Sequence, residues 1–129
     1  MRLLRQIASF GVVGICATLV HVGVAWLLID LFAMNGFLAN ALGAASAFSV
    51  SYLGNARITF ASGRGLWGGA ARYLAVTIVS FVLTSAILAV TRHAGLATWT
   101  YALLVVLTVP PSTFLLAKFW AFRPPQEQA

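Results

Sequence analysis

"RQIASFGVVGICATLVHVGVAWLLIDLF" (residues 5–32) is the stretch on which the fold turns. After Arg5 the next formally charged side chain is Asp30. A helix rising 1.5 Å per residue needs about 20 apolar residues to cross a ~30 Å hydrocarbon core, and the run over about 7–32 is longer than that. It also exceeds the apolar region of a secretory signal, about 7–15 residues, although "MRLLRQ" supplies the basic start. A lipoprotein-type cleavage before Cys16 is disfavoured too, because Ile15 stands where a small residue is expected. The stretch is therefore expected to be a retained transmembrane helix. Cys16, the single cysteine, lies inside it, so no intrachain disulfide is possible. Its plain role is that of a small packing residue.

Composition extends this reading to the whole chain. The 129 residues are 61% hydrophobic and only 8% charged, where a soluble domain carries about 25% charge. Ten charged side chains cannot clothe a water-facing surface of that size. Further apolar runs over about 36–54, 70–91 and 99–119 are each long enough to span. The expected fold is all-α integral membrane, with four transmembrane helices in a single domain covering 1–129. The longest connection, 55–69 with its "ASGRGLWGG", reads as a flexible turn. The net charge of +6 has no clustered, solvated patch behind it, so a nucleic-acid partner is not expected.

Basic residues set the orientation. Arg2 and Arg5 precede the first helix, Arg57, Arg64 and Arg72 surround the long connection, and Lys118 and Arg123 follow the fourth helix. Arg92 alone falls on the other side, with Asp30. The positive-inside rule then makes both termini cytoplasmic.

The two hairpins also read alike. "RQIASFGVVG" opens the first and "RYLAVTIVS" the second, and "SYLGNARITF" closes the first as "TFLLAKFWAF" closes the second. Aligning Phe60 with Phe122 pairs Tyr52 with Phe114, Leu53 with Leu115 and Ile58 with Trp120. Both copies enter and leave on one side, so they form parallel repeats, a feature of transporters and of simple hairpin duplication alike.

These same stretches resemble the GtrA-like family of small four-helix membrane proteins. The likeness runs through "RQIASFGVVGICATLVHVGVAWLL", "LANALGAASAFSVSYLGNARITF", "ARYLAVTIVSFV" and "FLLAKFWAFR". Its most specific part is a basic-aromatic hairpin ending similar to F-L-L-N-R-x-W-x-F. Asn55, Arg57 and Phe60 keep it in the first copy, with Ile58 in place of the aromatic. Lys118, Trp120 and Phe122 keep it in the second, with Ala117 in place of the asparagine. The resemblance implies a bacterial inner-membrane protein of cell-surface polysaccharide synthesis that translocates a polyprenyl-phosphate-linked sugar or polyprenyl phosphate.

Such a ligand needs an anion site and a route for a polar head. Arg5 and Arg72 begin two helices whose N-termini favour anions, and Arg57 and Lys118 lie at the ends of the other two; these four are the candidate phosphate contacts. Anchoring against anionic lipid accounts for the same cations. For the route, His21 sits near mid-helix, where a titratable group is costly. It shares a stripe with Gly14, Thr18 and Ala25, and Asn40 in the second helix is within reach of it. An interhelical hydrogen bond that only fixes packing is the competing account. Ala39, Gly43, Ala47 and Ser51 read as a packing seam. Pro110 and Pro111 break the fourth helix from within, freeing carbonyls near Val106 and Leu107. Thr108, Ser112 and Thr113 are the hydroxyls placed to compensate.

No catalytic constellation accompanies these residues. The only acids are Asp30 and Glu127, and there is no metal-ligand spacing, so neither enzymatic activity nor a metal or cofactor is expected. A proton-coupled multidrug exporter needs a carboxylate at mid-depth, which this chain lacks. A non-transporting scaffold for a glycosyltransferase remains the alternative to a translocase. Four helices are few to enclose a headgroup, so a homodimer or a complex with a membrane glycosyltransferase is expected, among membrane lipids.

Overall fold

A computed structural model describes residues 1–61 and 67–123. Arg64 and Glu127 lie outside the described residues. The described residues form four α-helices: α1 (Arg2–Phe32), α2 (Gly36–Gly54), α3 (Ala70–His93) and α4 (Thr98–Leu116). No strand occurs among the described residues. Each helix, taken with the turn that prolongs it, is long and apolar enough to cross a membrane. Large apolar side chains such as Leu19, Trp26, Phe81, Trp99 and Val106 are exposed. Water would penalise such a surface, whereas lipid tails solvate it. This is a multi-pass membrane protein.

The chain forms two compact units, 1–62 and 63–129, one helical hairpin in each. In the first, α1 ends on Ala33, a non-glycine residue in the left-handed region at φ 49°. Met34 then returns its N–H to the Leu28 carbonyl at 3.0 Å. The next side chain, Asn35, accepts from the N–H groups of Phe37 and Leu38 and so caps α2. An asparagine at this position satisfies donors that a new helix leaves orphaned. The reversal thus needs only three residues. In the second hairpin, α3 ends at His93 and Gly95 follows in the left-handed region (φ 66°), with Leu96 N–H bonded to the Thr91 carbonyl at 3.0 Å.

The small-residue seam of α2 packs against α1. Ala39 and Gly43 are buried. A Cβ added to Gly43 would lie 2.7 Å from both Cδ2 and the carbonyl oxygen of His21, and one on Gly54 would lie 2.8 Å from Val13 Cγ1. Small residues buy this approach of two backbones.

Both hairpins end alike. The helical path continues past Gly54 as a π-turn over Asn55–Thr59, and past Leu116 as a second over Ala117–Ala121. Each closes with a phenylalanine N–H reaching five residues back: Phe60 to Asn55 at 2.9 Å, and Phe122 to Ala117 at 2.8 Å. The alignment of Phe60 with Phe122 superposes these turns residue for residue, giving the duplication a structural counterpart. The connection expected from residue 55 therefore begins later, after Phe60. Asn55 is a buried residue inside the turn because the wider π backbone carries it inward rather than out to a loop. Most of "ASGRGLWGG" lies outside the described residues, and Trp67 to Gly69 form a turn before α3.

We expect Gly43→Ala to lower stability by about 1–3 kcal/mol, since the added methyl meets a backbone carbonyl that cannot yield. Gly14→Ala, with nothing within 4 Å of the new Cβ, should be neutral or stabilising. Thermal unfolding in detergent compares the two; equal losses would contradict the seam.

Candidate functional site

The mouth of the first hairpin is built from the start of α1 and the π-turn that ends α2. Thr59, on that turn, is buried, and its hydroxyl lies 2.9 Å from the Ser9 hydroxyl. The Phe10 and Phe60 rings pack beside them with centroids 6.2 Å apart. Above this floor opens a cleft of about 210 Å³, lined by Arg2, Arg5, Gln6 and Ser9 from α1 and by residues 58–61. Among the described residues neither Arg2 nor Arg5 has an acidic neighbour. Asp30, the one acid described, lies near the other end of α1. The cleft is thus polar and cationic, and open to an anion.

Deeper along the same hairpin, the seam carries a polar pair. His21 Nε2 lies 2.9 Å from Asn40 Oδ1. With the carboxamide oxygen facing the ring, Nε2 is the donor. The pair therefore forms as the sequence placed it, directly beside the close approach at Gly43. Thr18 does not join them; its hydroxyl donates to the Gly14 carbonyl at 3.0 Å. Such a return bond keeps a hydroxyl satisfied within its own helix.

In the second hairpin two cations, Arg72 and Lys118, rest on aromatic residues. Arg72 donates from Nη1 to the Trp120 carbonyl at 3.4 Å, and its guanidinium carbon is 6.0 Å from the Trp120 ring centroid. Lys118 Nζ lies 5.7 Å from the Phe114 ring and 5.5 Å from the Phe119 ring. Both distances fall within cation–π range. Tyr73 and Phe122 pack with centroids 5.2 Å apart. Arg57, in the first hairpin, is exposed and does not line the cleft.

α4 runs on through Pro110 and Pro111. The hydroxyl compensation differs from expectation. Thr108 donates to the Leu104 carbonyl at 2.6 Å, and Thr113 to those of Val109 and Pro110 at 2.9 and 3.0 Å. Neither reaches Val106 or Leu107, because a threonine hydroxyl bonds backward by three or four residues and these two start from the wrong register.

Two features of the first mouth escape sequence reasoning. Arg2 counts toward orientation but lines the cleft with Arg5, and the spacing of three residues signals a shared face. The Ser9–Thr59 contact joins residues fifty apart, and its one trace is a threonine where the second copy has Ala121.

A family model described as the GtrA/DPMS transmembrane domain matches residues 9–122. No curated protein and no solved structure matches the chain.

A double-mutant cycle with His21→Ala and Asn40→Ala should give a coupling of about 0.5–1.5 kcal/mol, the range of interhelical hydrogen bonds in membranes. Unfolding of the four proteins in detergent measures it, and additive losses would show that the 2.9 Å contact carries no energy.

Proposed function

The chain belongs to the GtrA/DPMS transmembrane family, and from that premise we propose that it is a translocase for a polyprenyl-phosphate-linked sugar, or for polyprenyl phosphate, in the synthesis of cell-surface polysaccharide. The observation that carries this reading is the family match across nearly the whole chain. The chemistry of the first hairpin supports it. A lipid-linked sugar presents a phosphate at the membrane surface and hydroxyls that must pass through hydrocarbon. The cationic cleft at the hairpin mouth suits the former, and His21 with Asn40 offers hydrogen-bonding groups along the way. Intramembrane polar groups are costly enough to mark such routes.

In this reading the protein sits in the bacterial inner membrane, with the arginine-bearing mouth and both termini cytoplasmic. It acts without covalent chemistry: with Asp30 and Glu127 as the only acids, no carboxylate pair is available for glycosyl transfer. For the same reason a carboxylate-dependent multidrug exporter fits poorly. A homodimer, or a complex with a membrane glycosyltransferase, supplies the enclosure that four helices lack.

Reconstitution in liposomes tests the proposal. Transbilayer movement of a fluorescent polyprenyl-phosphate sugar should quicken by about tenfold or more over protein-free vesicles, equivalent to about 1.4 kcal/mol off the barrier. Equal rates would remove the translocase and leave the scaffold.

A further inference from the structure

We propose that the headgroup phosphate binds in the first hairpin alone, in the cleft holding Arg2 and Arg5, and that the corresponding mouth of the second hairpin is filled by its own side chains. This deepens the translocase reading by locating its phosphate, yet the site is argued from charge and geometry that do not require transport.

Charge at the start of α1 favours an anion. Arg2 and Arg5 stand three residues apart in the first turns of α1, where like charges repel and the macrodipole disfavours cations. The first turn contains no acid, and Met1 provides no side-chain cap. Two uncompensated guanidiniums at the positive end of a helix form an arrangement that an anion relieves. A phosphate does so with bidentate, charge-assisted bonds. The floor adds a donor: Ser9 and Thr59 possess two hydroxyl protons and use one in their mutual bond, leaving one for a phosphate oxygen. At about 210 Å³ the space is several times the ~30 Å³ share of a water molecule, enough for a phosphate and part of what it bears.

The second copy lacks these features. Where the first copy has Ile58 and Thr59, the second has Trp120 and Ala121. The change removes the floor hydroxyl and introduces a ring, and Arg72 rests on that residue through both its carbonyl and its indole. An arginine already supplied with an acceptor and a π-face gains less from phosphate than two that, among the described residues, have neither.

The phosphate can belong to a polyprenyl carrier or to an ordinary anionic membrane lipid. Full-length protein in phosphatidylcholine nanodiscs is titrated with farnesyl phosphate, with phosphatidylglycerol and with farnesol, and bound ligand is counted by native mass spectrometry. Farnesyl phosphate should bind saturably and farnesol should not. The double variant Arg2→Gln/Arg5→Gln should weaken binding by about tenfold or more, as expected for lost charged hydrogen bonds. Arg2→Lys/Arg5→Lys should retain most of it, and Arg92→Gln all of it; helical circular dichroism confirms folding. Unchanged binding in the Gln double variant, or a greater loss in Arg72→Gln, would overturn the proposal, as would unchanged binding in Thr59→Val alongside a Gln double variant that fails to fold. If phosphatidylglycerol competes equally with the same arginine dependence, the site stands with membrane lipid as its source. Arginine-dependent binding without any scrambling by the wild-type protein would likewise uphold the site while refuting the translocase.

Discussion

Hydrocarbon provides no hydrogen bonds, and the architecture follows from that constraint. A polar group within a span is costly unless the protein supplies its partner. Many hydroxyls find one by bonding back one turn: Ser46 to Leu42, Ser49 to Ala45, Thr77 to Tyr73, Ser80 to Val76 and Thr84 to Ser80. Such side chains are polar by composition yet silent toward their surroundings. Against that background, the side chains that reach from one helix to another acquire significance. In the first hairpin these include Ser9 with Thr59 and His21 with Asn40.

The two hairpins share a scaffold and differ in chemistry. Both end in a π-turn at matching positions, a form of backbone that recurs at functional sites. Both set an aromatic ring from the early part of one helix against the phenylalanine that closes the turn. The first then presents hydroxyls and two open guanidiniums, whereas the second presents indole and phenyl rings to its cations. The two copies differ at a few positions, with Ile58 and Thr59 in the first where the second has Trp120 and Ala121.

The helices were legible because length and hydropathy are sufficient to identify a span, whereas the Asn35 cap emerges only from the folded chain. The His21–Asn40 pair was legible from depth: two polar residues on neighbouring helices have few other partners. The π-turns were not, since a reach of five residues leaves no periodicity distinct from that of an α-helix, and the polar Asn55 and Arg57 mimic a loop. The mouth was only half visible. Arg5 stood out at a helix start, while Arg2 became significant once folding brought Thr59 to Ser9. The prolines misled in detail, because their freed carbonyls depend on register and the nearby threonines bond elsewhere.

The central claim is that the ligand's phosphate engages the first hairpin rather than the second. Photo-crosslinking tests it most directly. A polyprenyl phosphate with a diazirine beside the phosphate is irradiated with the reconstituted protein, and the labelled peptides are mapped by mass spectrometry. The account predicts label concentrated in the first turns of α1 and at residues 58–61. Label concentrated around Arg72 and Trp120, or spread equally over both hairpins, would contradict it.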